Sequence, residues 1–433
     1  MRPTPWIAAA LALAVAAGAA AQEKRKNLPA QPPAPPQAQA PRANEPAQVA
    51  ALRRLLPGFR FSYAAAAQDG ARTRLTGVVM GPAGQEVRAA EMVLEGVTDT
   101  GIGQLRATGL SAAWGGLESL ELAGFALRGG IPQAERLEAT ALRVTGPWQG
   151  GFARLALRDA LPGREAALEV DGLRAAPQDR SVVAEATLRR VTASVTDLQG
   201  LVAAVQAGRE APPGRISLLA EALEVRGPAA ALGGMDRLAL RSENRAGAPA
   251  TGRLSLEGMA LAEGTPAAAW LEPLGYRGLR GDLTLDATQD VARGRLEVGA
   301  LALAVREVAA AGLSFTLDGV DAANPQRAYA NAALVGARLR WADQSLLGRI
   351  AAQQAREQRR PEAQVRAEWA AQAAALLPAA MHAPAQRFLR GEARELDLRA
   401  APPRPVALGL LSSKPPADAA GWQRALGLEL SAR

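Results

Sequence analysis

The sequence predicts an α+β fold: a long twisted antiparallel β-sheet of many one-face-buried strands, with a C-terminal helical subdomain. Three observations lead there. A five-residue unit, apolar-any-apolar-any-glycine, recurs through the chain. Proline crowds a short stretch ahead of the first copy of that unit. Apolar residues at helical spacing gather after residue 340.

The N-terminus reads as an export signal. Arg2 is followed by an uncharged apolar run from Ile7 to Ala17. Gly18 leads into Ala19-Ala20-Ala21, and small residues at Ala19 and Ala21 fit a cut before Gln22. An uncleaved anchor is the other reading of residues 1–21. Only Arg2 is charged in that piece, so its removal lowers the net charge of +8 by one. No later stretch reads as a transmembrane helix, and the expected location is the periplasm. Residues 22–46 form a Pro/Ala/Gln-rich linker with little to bury.

The strand unit carries the next 300 residues. Copies end at Gly96, Gly124, Gly146, Gly172, Gly227, Gly258 and Gly319. Leu120-Glu-Leu122 and Leu254-Ser-Leu256 show the pattern; Leu283-Thr-Leu285, Leu296-Glu-Val298 and Leu396-Asp-Leu398 repeat it without the glycine. Successive strand side chains point to opposite faces. The two apolar residues therefore bury one face while the residue between them meets water, the habit of antiparallel sheets. The glycine permits a bulge, bend or turn. The irregular spacing excludes a strict solenoid.

Helices punctuate this pattern. One is expected from Ala47 to Leu56, ending at Pro57-Gly58. Another runs from Asp197 as N-cap to Gln206, stopping before Pro212-Pro213, which divides a strand-rich region 47–213 from a second, 214–340. Thr265 before Pro266 reads as the N-cap of a short helix to Leu271. The end, 341–433, holds a helix capped by Asp343, a second opening at Pro361 and a short third around Phe388. Strands are expected at Glu395 to Arg399, Val406 to Leu410 and Leu428 to Leu430, with a helix from Asp418 to Leu426.

Composition removes several chemistries. There are no cysteines, which excludes disulfides, thiolate metal sites and cysteine nucleophiles. His382 is the single histidine, so a multi-histidine metal site is excluded. It precedes Pro384 and reads as a surface residue between helices. Lys24, Lys26 and Lys414 are the lysines, and no Walker A motif exists. Gly101-Ile-Gly103 begins like a dinucleotide fingerprint but lacks its third glycine. The arginines are dispersed and aromatics amount to 4%, which speaks against nucleic acid. Arg356, Arg359 and Arg360 read as a solvated helix end. Asp282, Asp286 and Asp290 form the most regular carboxylate series and read as two solvent-face residues plus a turn. The tryptophans read as core anchors. No catalytic, cofactor-binding or metal residue is assigned.

Several stretches resemble a family of exported, functionally uncharacterised alphaproteobacterial proteins. They are Leu274-Gly-Tyr276, Asp282 to Leu285, Gly294 to Val298, Gly312 to Gly319, Ala337 to Leu346, Phe388-Leu389, Pro403 to Val406 and Leu426 to Leu428. The resemblance runs from Leu254 to the end, about the C-terminal 40%. The exported, strand-repeating style is also similar to AsmA and TamB type envelope proteins, a resemblance that implies lipid handling.

Two functional expectations follow. The first is an exported, non-enzymatic envelope protein whose apolar sheet face meets lipid or an envelope protein. The second is a periplasmic hydrolase using carboxylates such as Asp282 and Asp286, which a glycosidase would hold about 5–10 Å apart. An outer-membrane barrel would want aromatic girdles that this chain does not supply.

Overall fold

The computed structural model describes residues 45–56, 59–81, 86–128, 131–146, 148–206, 212–321, 329, 331–413 and 415–433. The expected signal, with Ala19, Ala21 and Gln22, and the proline-rich stretch up to residue 44 lie outside these residues. The chain divides at residues 214 and 215 into two compact units. Both are built on antiparallel sheet, and the helices gather in the C-terminal part, so the expected fold class holds.

The first unit starts with helix α1 (Ala47–Leu55) and the short strands β1 (Arg60–Ser62) and β2 (Ala65–Asp69). Both strands pair with β3 (Arg72–Gly81). From there the chain is a meander in which each strand pairs with the next. Its members are β4 (Val87–Val97), β5 (Gly101–Ala112), β6 (Gly115–Arg128), β7 (Ile131–Val144), β8 (Trp148–Ala160), β9 (Ala166–Pro177) and β10 (Glu185–Val195). Helix α2 (Leu198–Gln206) closes the unit. Strands of up to 14 residues are longer than the five-residue unit alone implies.

Register aligns the apolar pairs of the repeated unit into rows. Leu75, Met92, Ala107, Leu120, Ala139, Leu155, Val170 and Val191 are consecutive cross-strand partners from β3 to β10. Leu94, Leu105, Leu122, Leu137, Leu157 and Leu168 form the row beside it. α1 lays Val49, Leu52 and Leu55 over the beginning of these rows, and Leu75 and Leu94 become fully buried. α2 packs Leu198 and Val202 against Ala160, Ala166 and Leu157. Its start is fixed by Asp197, whose Oδ1 accepts the Gly200 N–H at 2.9 Å.

The second unit repeats the device. β12 (Ala231–Asn244), β13 (Ala250–Ala262), β14 (Gly278–Asp290), β15 (Arg295–Val305), β16 (Ala309–Asp318) and β17 (Ala333–Asp343) pair in sequence. β11 (Gly214–Arg226) lies beside β12, with the Leu223 carbonyl so near Gly234 that a side chain there would not fit. β17 then pairs with both β18 (Glu395–Ala400) and β19 (Val406–Ala407), and β18 pairs with β20 (Leu428–Ala432). Between β17 and β18 come α3 (Leu346–Gln358), α4 (Glu362–Leu376) and α5 (Ala379–Arg390). α6 (Leu408–Ser413) and α7 (Ala419–Leu426) follow β19.

Three local expectations need correction. Residues Pro266–Leu274 form a 3-10 helix; Thr265 stands at its N-cap position as expected, but its hydroxyl makes no capping bond and donates backwards to the Ala262 carbonyl at 3.1 Å. The strand expected from Val406 stops at Ala407, because Leu408 turns into α6 and packs against Leu317 and Val320. The third C-terminal helix is not short: α5 runs through Pro384 because Met381, Ala385 and Phe388 are all buried on one side. Packing of that face outweighs the hydrogen bond that proline removes.

Gly258 shows what the terminal glycine of the unit does. It has φ +64, and the β13–β14 register shifts between Leu256 and Met259. The bulge adds one residue to β13, and so keeps Leu256 and Leu261 on the same side of the sheet. The Asp236 carboxylate lies where a Cβ would stand, so no other residue fits without displacing it.

The sealed and open parts of the rows should respond differently to truncation. Leu94→Ala is expected to cost about 2–5 kcal/mol in urea unfolding. Leu303→Ala, at a position 41% exposed, is expected to stay within about 1 kcal/mol.

Candidate functional site

The most extensive candidate surface is the apolar side of the second unit. Leu240, Leu254, Leu285, Leu301, Leu313, Leu339, Leu398 and Leu430 are consecutive cross-strand partners through eight strands. At the usual strand spacing the row is about 33 Å long. A second row, Leu238, Leu256, Leu283, Leu303, Ala311, Trp341 and Leu396, runs beside it. None of these leucines is buried; most are half-buried, and Leu303 and Leu339 are 41% exposed.

Two apolar clusters flank this surface, at opposite ends of its middle strands. At one, the 3-10 helix places Ala268 and Leu271 with Tyr276, Val308, Trp341 and Leu346. At the other, Leu317, Val320, Ala332 and Leu408 form a separate cluster. The first cluster is held by polar contacts that no sequence motif announces. The Tyr276 hydroxyl lies 2.7 Å from Ser345 Oγ, which itself donates to the Glu307 carbonyl. The Arg349 guanidinium sits 4.0 Å from the centre of the Tyr276 ring and donates to the Leu274 and Gly275 carbonyls at 3.1 and 2.6 Å. Arg356 reaches the Pro273 carbonyl at 3.2 Å. Two cations thus satisfy the last carbonyls of the 3-10 helix.

The carboxylate series is dispersed over separate tasks. Asp282 Oδ1 accepts the Gly258 N–H at 2.7 Å and so holds the bulge. Asp286 pairs with Arg253 on the neighbouring strand. Asp290, the last residue of β14, accepts the Arg293 N–H at 3.0 Å. Among the described residues, no group of three or more His, Asp or Glu side chains is placed to hold a metal.

The remaining singled-out residues also find local roles. His382 lies inside α5 rather than between helices, and Nε2 is 2.8 Å from the Leu377 carbonyl. A carbonyl can only accept, so Nε2 carries the proton and ties α5 to the end of α4. Arg360 leaves the Arg356 and Arg359 group to meet Glu368 across the α3–α4 turn. Trp148 and Trp270 are 62% and 60% exposed, which corrects the expectation of core anchors for these two. Trp341 does fill that role, and Trp369 Nε1 donates to Gln354 at 3.1 Å.

Opposite the apolar rows, ion pairs join residues within and between neighbouring strands. Glu138 accepts from Arg136 at 2.8 Å and from Arg154 at 3.1 Å. The Arg136 hydrogen bond holds its carboxyl below the ordinary glutamate range, against a smaller opposing effect of desolvation. Asp397 on β18 receives Arg338 Nε at 2.8 and 3.1 Å, with Arg340 at 3.7 Å. The Arg338 hydrogen bond likewise lowers its pKa.

A family model described as an uncharacterized protein matches residues 302–433. The match begins later than the resemblance expected from Leu254 and covers the C-terminal 30% of the chain. It takes in the end of β15, all of β16 to β20 and the helices between them. Within it lie Leu303, Leu313, Leu339, Leu398 and Leu430 of the rows, together with Ser345 and Arg349, which hold the first cluster. Searches of curated proteins and of solved structures gave no match. Among the described residues, no helix is long and apolar enough to cross a membrane.

The Arg338–Asp397 pair gives a pH prediction with a definite sign. A carboxyl whose folded pKa is depressed contributes stability above its unfolded value, about 3.9 for aspartate, and loses it as pH falls through the folded value. Asp397→Asn is therefore expected to lower stability at pH 7 and to flatten the fall below about pH 4. Urea midpoints measured from pH 7 down to pH 2.5 would show it; parallel curves for the two proteins would contradict it.

Proposed function

We propose that this protein is an exported, non-enzymatic component of the cell envelope whose apolar sheet surface holds lipid acyl chains. The observation that carries the reading is the in-register leucine row from Leu240 to Leu430, left half-buried or exposed along its length. Covering a half-exposed leucine releases apolar area worth roughly 25 cal/mol per Å². A continuous line of partly exposed leucines about 33 Å long differs from the singly scattered apolar exposure that needs no explanation. Acyl chains suit it because they are apolar and flexible along their whole length and ask for no hydrogen bonds from a wall made of leucine. The signal-like N-terminus supports export. The likeness of the repeating strands to AsmA and TamB type proteins supports an envelope setting.

The hydrolase reading is the weaker of the two. It would need Asp282 and Asp286 free to act on a substrate, whereas Asp282 is engaged by the Gly258 amide and Asp286 by Arg253.

Two measurements test the proposal together. N-terminal sequencing of protein from a periplasmic fraction is expected to read from Gln22. A fluorescent fatty acid is expected to bind the purified protein saturably, with Leu301→Asp weakening it by about tenfold, since a buried charge disrupts an apolar contact. Absence of saturable binding, with no lipid recovered by extraction and mass spectrometry, would remove the acyl-chain reading.

A further inference from the structure

The first unit carries a polar cleft unrelated to the leucine rows. Register pairs Ser62 with Val79, Val79 with Arg88 and Arg88 with Ser111. These four residues form one row across β1, β3, β4 and β5. Arg60 stands two residues from Ser62 on β1 and so faces the same way. Together they line a cleft of about 660 Å³, with Ala112 and Ala113 beside them. That volume falls within the range of about 300–1,000 Å³ that small-molecule sites occupy.

Arg88 differs from its neighbours in one respect. Nearby strand arginines are each matched to a carboxylate: Arg72 to Glu95 at 2.9 Å, Arg74 to Glu91 at 3.5 Å and Arg106 to Glu121 at 3.6 Å. Arg88 has no hydrogen-bond or ion-pair partner among the described residues. The one carboxylate lining the cleft, Glu86, lies 3.9 Å from Arg60. The Arg88 fork therefore keeps its donors uncommitted, beside a second guanidinium and two hydroxyls.

We propose that this cleft binds a phosphate group carried by a small molecule or a lipid headgroup. Arginine recognises phosphate with two parallel hydrogen bonds, and it does so better than a point charge. Glu86 meets Arg60 at only 3.9 Å and leaves the cleft one net positive charge. The Arg88 fork with two hydroxyls and the remaining Arg60 donors offers more than the two oxygens of a carboxylate use, and a phosphate with three free oxygens matches them. Val79, Ala112 and Ala113 supply an apolar wall for the carrier. The inference does not depend on acyl-chain binding by the second unit.

The test uses the purified chain at low ionic strength and three probes: inorganic phosphate, glycerol 3-phosphate, and vesicles of phosphatidylglycerol with phosphatidylcholine. Titration calorimetry is expected to show saturable binding of glycerol 3-phosphate, or co-sedimentation to show binding to the vesicles. Arg88→Gln should weaken whichever occurs by about tenfold or more, the worth of a charge-assisted hydrogen bond. Arg74→Gln, taken from the paired ladder, should leave it unchanged. Arg88-dependent binding of glycerol 3-phosphate assigns a soluble ligand; Arg88-dependent binding of vesicles alone assigns a headgroup. Should Arg88→Gln lose its strand circular dichroism, Ser111→Ala reports on the same cleft and is expected to weaken binding several-fold. The proposal is overturned if no probe binds saturably. Equal effects of the Arg88 and Arg74 substitutions, or binding unaffected by both Arg88→Gln and Ser111→Ala, overturn it too.

Discussion

Cross-strand contact between apolar side chains held in register is the constraint on which both units rest. A strand in these sheets has one apolar side, and a slip of one residue would turn that side to water. Eight leucines from eight strands meeting in one line means that the register is kept through every turn between β12 and β20. The bulges serve this. At Gly258 an extra residue and a positive φ restore the alignment of Leu261 with Leu279 after the Leu256–Leu283 contact. Asp282, on the adjoining strand, accepts the amide that the bulge exposes. A carboxylate that resembles part of an acidic site is in this way part of the sheet's alignment.

The two units use the same rows to different ends. In the first, α1 covers the start of the sheet and drives Leu75, Met92 and Leu94 out of solvent. In the second, the clusters around Leu271 and around Leu317 lie along the two flanks of the rows, at opposite ends of the middle strands, and the leucines between them keep contact with water. Each leucine or valine that is fully covered contributes roughly 1.5–3 kcal/mol. The first unit thus holds its stability at sealed patches under α1 and α2, while the second spreads partial burial over a long line. Alternating ion pairs on the reverse side, such as Arg338 with Asp397, add register rather than much stability, since exposed pairs contribute little.

The sheet was legible because its signal is local. Period two, interrupted by glycine, needs only five residues to show, and it marks most strands without reference to their partners. Helices α1, α2 and α7 were legible for a similar reason: each has a turn signal or a cap, such as Asp418 accepting the Gly421 N–H at 2.6 Å. What was not legible depends on residues far apart in sequence. His382 looked like a loop residue because Pro384 follows it, and only the burial of Met381, Ala385 and Phe388 carries α5 past that proline. Tyr276, Ser345 and Arg349 come together across about 70 residues of chain, so no motif could mark them. The open leucine row and the solitary Arg88 were invisible for the same reason, since each is defined by what fails to cover or pair with it in space.

The order of pairing has a consequence for how such a chain reaches its structure. From β3 to β10 each strand bonds to the strand made just before it and to the one made just after. In this stretch every ladder therefore closes a short loop, and no strand waits for a distant partner. Topologies of this local kind assemble quickly for their size. A chain emerging from its N-terminus can add one strand at a time to a growing edge, with α1 already available to seat the first three. The unpaired edge of each intermediate is offered to the next segment of the same polypeptide, which is the nearest competitor for it and keeps other chains away.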